Sequence, residues 1–197
     1  MFIVGITGGT GAGKTTALDV LKEMGALIID CDAVYHDLTA NSKEMLAEID
    51  ARFPGVIVDG TLQRKELGKI VFGDFDALQD LNNITHRYVK LEVKRLIDDW
   101  EREGGKLAAI DAIALNESGL GKMCNFTVAV TAPAEIRAKR IMAREGIDFE
   151  YAMKRIRAQK NDIYFIEENT YSLVNDYDTK AEFENNCREF FAEKVGL

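Results

Sequence analysis

The sequence predicts an α/β fold: a parallel, nucleotide-binding sheet flanked by helices, with an inserted helical subdomain and a lid. Three observations predict it. Short apolar, β-branched runs recur at residues 2–7, 26–30, 106–111 and 127–131, the pattern of strands buried on both faces. Helical periodicity separates those runs, as parallel strands joined by crossovers require. The first run also opens directly into a glycine-rich loop that is followed by an amphipathic helix.

Each element follows in order. After the first strand and the loop at residues 8–13, residues 15–24 read as a helix with Ala17, Leu18, Leu21 and Met24 on one face, stopped by Gly25. Residues 26–30 are a second buried strand. Asn41 and Ser42 cap a helix running to about Phe53, and Asp59-Gly60 is a turn signal. Residues 64–103 are mostly helical, with a break or kink expected at Asn82-Asn83 and an end at Gly104-Gly105. Strands at 106–111 and 127–131 come next. Pro133 suits the first position of a helix through Arg144. A short helix over 149–159, a last strand over 171–175 and a last helix over 179–194 complete the chain. The long helical stretch is too large for a simple crossover and reads as a subdomain that covers a substrate. The expected division is a core of residues 1–35 and 105–197, an insertion of 36–104, and a lid of 144–165.

The composition narrows the function. The chain has 197 residues, 47% of them apolar, enough for one α/β domain with a real core. A net charge of -8 argues against nucleic acid or an anionic membrane as partner. Cys31, Cys124 and Cys187 are widely spaced and odd in number, so they read as free thiols in a reducing compartment and not as a zinc site. The N-terminal apolar run is too short for a signal peptide or a membrane span. A cytoplasmic location is expected.

The loop carries the strongest chemistry. Gly8-Gly9-Thr10-Gly11-Ala12-Gly13-Lys14-Thr15 matches GxxxxGK followed by Ser or Thr. The glycines let the backbone curl so that its N–H groups point at phosphate oxygens, and the next helix presents its positive end to the same phosphates. Gly9, Gly11, Ala12, Gly13, Lys14, Thr15 and Thr16 are therefore the expected ATP-binding residues. Lys14 reaches the β- and γ-phosphates, and the Thr15 hydroxyl is the expected Mg²⁺ ligand. A glycine-rich turn with a surface lysine is the plain alternative, and the flanking strand and helix count against it.

Other candidates are less specific. Asp30 and Asp32 end the second strand, at the sheet edge where ligands bind. One of them suits a proton acceptor for an attacking hydroxyl, and a helix N-cap at Asp32 is the alternative. Asp111 ends the third strand, where an acid often reaches a metal through water, and Glu117 reads as a loop carboxylate. Arg137, Arg140 and Arg144 share one helix face. Arg140 and Arg144 are read as a phosphoryl clamp, while Arg137 and Arg157 are read as surface residues. His86 is, on the residues alone, an ordinary helix histidine.

Taken together these residues resemble the dephospho-coenzyme A kinase family over most of the chain, in the same order. Gly5-Ile6-Thr7-Gly8-Gly9 runs into the P-loop. Ile29-Asp30-Cys31-Asp32 looks like the family's D-A-D segment. Asp59-Gly60-Thr61-Leu62, Arg64, Leu67 and Val71-Phe72 match its D-G-x-L-x-R stretch. Leu81-Asn82 and His86 match its L-N…H helix. Asp111, Glu117, Gly119 and Leu120 match the following loop in part, and Arg140, Met142-Ala143-Arg144, Arg155 and Gln159 match its lid positions. The resemblance implies ATP and dephospho-CoA as substrates and Mg²⁺ as cofactor. It implies Asp32 as base for the ribose 3′-hydroxyl, with Lys14 and Arg140 beside it in catalysis. It implies Arg144 and Asn175 on the nucleotide side, and Arg64, His86 and Asp111 on the acceptor side. The sequence departs from the family pattern at Ile113-Ala114-Leu115-Asn116, at Arg87 after the histidine, and at residues 162–165, which carry no Lys or Arg where the family has a basic tract. The altered 113–116 wall keeps a second reading in view, a kinase of another nucleoside or nucleotide-like molecule. A non-catalytic nucleotide switch is the third, and the lack of an NKxD motif counts against it.

Overall fold

The computed structural model describes residues 1–196. In chain order the elements are β1 (Phe2–Thr7), α1 (Lys14–Glu23), β2 (Leu27–Asp30), α2 (Cys31–Asn41), α3 (Lys43–Arg52), β3 (Ile57–Val58), β4 (Thr61–Leu62), α4 (Arg64–Val71) and α5 (Phe75–Arg102). There follow β5 (Leu107–Asp111), a 3-10 turn (Leu120–Met123), β6 (Phe126–Thr131), α6 (Ala134–Glu145), α7 (Phe149–Arg157), α8 (Asp162–Glu167), β7 (Tyr171–Val174) and α9 (Lys180–Val195). The main sheet is parallel, in the order β2-β5-β1-β6-β7. The chain divides into two compact units, one of residues 1–28 and 100–197 and one of residues 29–99.

In the first unit the sheet is sealed by apolar side chains on α1 and α9, which pack together. Val4, Ile6, Ala17, Val20, Leu21, Val128, Phe183 and Phe191 are fully or almost fully buried there. Complete burial of each large side chain contributes roughly 1.5–3 kcal/mol before entropy is counted. Gly25, at φ 89°, ends α1 and lets the Ala26 N–H close onto Leu21 O at 2.9 Å. Thr179 and Glu182 form a capping box that starts α9. Pro133 proves to be the N-cap of α6 and not its first residue, because its ψ of 138° is extended. Its carbonyl accepts the Arg137 N–H.

The second unit has its own core of Met45, Leu46, Ile49, Phe53, Val56, Leu62, Leu67, Val71, Ala77 and Ile84. Ser42 caps α3. Asp59 and Gly60 both have positive φ, 49° and 74°, and close the β3–β4 hairpin, in which Ile57 faces Leu62. The expected break at Asn82-Asn83 is overturned. The helix runs unbroken through both residues, and the break falls at Gly73, where φ is 100°, with Asp74 accepting the Ala77 N–H at 2.9 Å. Two asparagines cost a helix a few tenths of a kcal/mol each. The buried stripe of Ala77, Ile84, Val89, Val93 and Ile97 outweighs that.

Candidate active site

The glycine-rich loop joins β1 to α1. Gly8 has φ 137°, and a Cβ there would lie 2.1 Å from Val130 O, so only glycine fits where the loop leaves the sheet. Gly13 has φ 108°, and a Cβ there would lie 2.2 Å from the Asn175 amide nitrogen. Gly13 is also the N-cap of α1 and brings no side chain to it. The Thr16 N–H closes onto Gly13 O at 3.0 Å, and with no side-chain cap the positive end of the helix suits an anion. Lys14 curls back so that Nζ donates to Gly8 O at 3.3 Å. Thr15 is exposed and Thr16 buried, so the hydroxyl available to a ligand is that of Thr15.

The far side of the loop is held by polar contacts. Asn175 is buried, takes its place through Asn175 N–H to Thr131 O at 2.7 Å, and donates Nδ2 to Ala12 O at 2.9 Å. Arg140, half-buried on α6, donates to Ala12 O at 3.3 Å, Gly11 O at 3.4 Å and Asn175 Oδ1 at 3.0 Å. Burial lowers the Arg140 pKa from its ordinary value. These contacts turn the carbonyls of Gly11 and Ala12 toward Arg140 and Asn175, which favours the opposite side of the loop for its N–H groups.

Arg144 is exposed. It stands 3.4 Å from Thr10 Oγ1 and donates to Glu145 at 2.6 Å. Arg155 also pairs with Glu145, and the hydrogen bond from Arg144, ahead of that from Arg155, holds the Glu145 carboxyl below its usual range. Asp111 closes β5 opposite Ile6 of β1, at the root of the loop. Glu117 is paired with Lys160 at 2.7 Å. Burial pushes its carboxyl up, but Lys160, its own backbone amide and Tyr164 outweigh that and leave it low. Cys124 and Cys187 are free thiols that burial pushes up to about 12, so neither is a nucleophile near neutral pH.

Arg137 corrects the surface reading. It is 2% exposed and lies against the loop, with Nε donating to Thr10 O at 2.9 Å. The 137/140/144 spacing marked the right helix face, but spacing carries no information on depth. Arg157 is exposed.

In the second unit, Asp30 and not Asp32 is the helix cap. Its carboxylate accepts the N–H groups of Asp32 at 2.9 Å and Ala33 at 3.1 Å. The cap alternative for Asp32 is therefore removed: Asp32 sits exposed in the first turn of α2. Asp32, Tyr35 and Thr39 fall on one face of α2 by spacing. Arg64, which opens α4, joins that face by donating to Thr39 Oγ1 at 2.9 Å. Burial raises the Tyr35 pKa, and the Arg64 charge opposes it. His86 is half-buried in α5, and its neighbour Arg87 is paired with Glu48.

Comparison with known proteins agrees with this geometry. The family model for dephospho-CoA kinase matches residues 2–180. A dephospho-CoA kinase of Moorella thermoacetica is 41% identical over 162 residues, spanning 81% of this chain and 76% of that one. One of Dehalococcoides mccartyi is 40% identical over 164 residues, 82% of each chain. The crystal structure of a Thermus thermophilus protein superposes with a TM-score of 0.76 at 31% identity, covering 100% of this chain and 97% of that one. With its phosphate loop, its acid-led α2 and this similarity along most of its length, the chain belongs to the dephospho-CoA kinase family.

Proposed function

We propose that this chain transfers the γ-phosphate of ATP to the 3′-hydroxyl of dephospho-CoA, giving coenzyme A and ADP. The observation that carries the reading is the loop of residues 8–15, with two of its carbonyls bound by Arg140 and Asn175 and its helix end uncapped by any side chain. Within the proposal, the 3′-oxygen attacks the γ-phosphorus and the bond to the β–γ bridging oxygen breaks. The hydroxyl proton passes to the Asp32 carboxylate, and ADP leaves. Lys14 and Arg140 offset the charge that spreads over the equatorial oxygens, with Arg144 on the nucleotide side. Residues 36–104, with Arg64 and His86, form the acceptor-binding insertion, Asp111 faces the acceptor, and residues 144–165 form the lid.

Mg²⁺ fits the same reading. Among the described residues no group of three His, Cys, Asp or Glu side chains could hold a metal by itself. The exposed Thr15 hydroxyl is one oxygen of the kind Mg²⁺ takes together with phosphate oxygens and water. When bound with ATP, Mg²⁺ would supply charge neutralisation at the phosphates. Among the described residues no helix is long and apolar enough to cross a membrane. The free thiols and the net charge of -8 support a cytoplasmic enzyme of small molecules over one that binds nucleic acid.

The test is a labelled-ATP assay with dephospho-CoA beside a panel of nucleosides and nucleotides. Phosphate appearing on the 3′-hydroxyl of dephospho-CoA, and much faster than on the others, is the expected result. ATP turnover indifferent to every acceptor would leave a nucleotide switch, and preference for another nucleoside would reassign the acceptor.

A further inference from the structure

Among the described residues, Arg137 is the charged side chain that is buried. Burying a guanidinium is costly unless its donors are matched. Its Nε donates to Thr10 O at 2.9 Å, one terminal nitrogen to Asp162 Oδ1 at 2.9 Å, and the other to Gln159 Oε1 at 3.2 Å. The same Gln159 oxygen accepts the Thr10 N–H at 2.8 Å. Both backbone polar groups of the loop tip are thus fixed, one from α6 and one from the segment that joins α7 to α8. Gly9 lies flush on the guanidinium, since a Cβ there would stand 2.1 Å from an Arg137 terminal nitrogen. The peptide planes on either side of Thr10 cannot turn without breaking one of these bonds. Asp162, in the first turn of α8, carries the connection onward.

We propose that Arg137 is a positioning residue for phosphate binding. With Gln159 it sets the loop tip in its phosphate-receiving shape, and through Asp162 it links that shape to the placement of α8. The proposal rests on the phosphotransfer reading of the loop. Its partners are protein groups, so its effect on ATP passes through Thr10. Preorganisation of this kind shows in affinity, because a loose loop must be ordered when the ligand arrives.

The test compares Arg137→Lys, Gln159→Asn and Asp162→Asn with the wild type by ATP calorimetry without acceptor, by steady-state kinetics and by thermal melting. Calorimetry with ATP alone reads the loop whatever the acceptor is. A wild type inactive on dephospho-CoA would count against the assigned reaction and leave this proposal to the calorimetry. Lysine keeps the charge but cannot reach three partners, so Arg137→Lys should weaken ATP by about tenfold. Gln159→Asn should do the same, and the KM for dephospho-CoA should stay as in the wild type. Combining the two should add less than the sum, because both act on Thr10. Asp162→Asn keeps an acceptor oxygen and loses the charge, so about threefold is expected. A merely structural arginine predicts a lower melting temperature with wild-type ATP affinity in the folded protein, and that result overturns the proposal. Should Arg137→Lys not fold, Gln159→Asn decides alone, since Gln159 is half-exposed just past α7: wild-type affinity there overturns the proposal too.

Discussion

The phosphate loop and the unit of residues 29–99 are held by different forces. The loop is fixed by directional bonds from partners far away in sequence: Arg137 to Thr10 across 127 residues, Gln159 to Thr10 across 149, and Asn175 to Ala12 across 163. Each involves a side chain that is partly or fully buried. The second unit is held by volume, with Met45 and Ile49 fully buried. Its ion pairs, such as Arg52–Asp80 at 2.6 Å and Arg95–Asp99 at 2.6 Å, lie at the surface, where pairs contribute little. A loop that must present N–H groups at set positions needs bonds that fix orientation. An apolar core needs complementary shape and no particular direction. Substitutions in the loop should therefore act on chemistry, and substitutions in the apolar core of the second unit on stability.

The largest effect is expected at Lys14. Its ammonium caps a loop carbonyl and supports no core, so Lys14→Ala should leave the melting temperature nearly unchanged. The rate should fall by roughly 10² or more, as for loss of a preorganised charge at a developing oxyanion. Steady-state kinetics with thermal melting checks both halves. A wild-type rate would break the comparison at its strongest point.

Asp30 and Asp32 sharpen it, because two acids two residues apart should behave in opposite ways. Asp30→Ala removes a cap with two backbone N–H groups on it and should cost about 0.5–2 kcal/mol of stability. Asp32→Asn leaves that cap intact and should lower kcat by roughly 10² with ATP affinity preserved. Measuring kcat, ATP affinity and denaturant midpoint for both variants separates the roles. An Asp32→Asn enzyme of normal kcat would remove Asp32 from the chemistry.

In the second unit the weak point is volume. Ile49→Ala empties a site that is 0% exposed and ringed by apolar neighbours. The cost should be about 2–5 kcal/mol, a fall of roughly 5–15 °C in melting temperature. Activity per folded molecule below that temperature should hold. A stable Ile49→Ala protein that had lost its activity would invert the comparison.

How legible each region was in the sequence follows from the same contrast. The loop, the strand before it and the helix after it are specified by adjacent residues, so Gly8 to Thr15 could be read directly. The Asp59-Gly60 turn was legible for the same reason, since two residues that tolerate positive φ suffice, while the two short strands it joins were not read. What could not be read depended on depth, on local register or on long-range packing. Arg137 and Arg144 have the same spacing signal, yet one is buried against Thr10 and the other is exposed. The cap fell on Asp30 and not Asp32, a shift of two residues that local pattern leaves open. Asn82-Asn83 looked like a break because propensity is local, while the apolar stripe that overrides it runs over the whole of α5.

The smallest effect is expected on the surface of α5. Lys94 donates to Asp98 at 2.7 Å, four residues on, with the two side chains 61% and 50% exposed. Both charges remain in water, so their attraction is screened, and the order lysine-then-acid is the weaker of the two for a helix. Glutamine has nearly the helix propensity of lysine, so Lys94→Gln removes the pair and little else. The melting temperature should move by no more than about 1 °C, with kcat and both KM values unchanged. The difference should also stay small at low salt, where any surface attraction is strongest. A fall of more than about 5 °C, shrinking as salt is added, would mean that the surface pairs of this unit carry stability comparable to a buried isoleucine. The contrast between directional bonds at the loop and apolar volume in residues 29–99 would then fail on its second half.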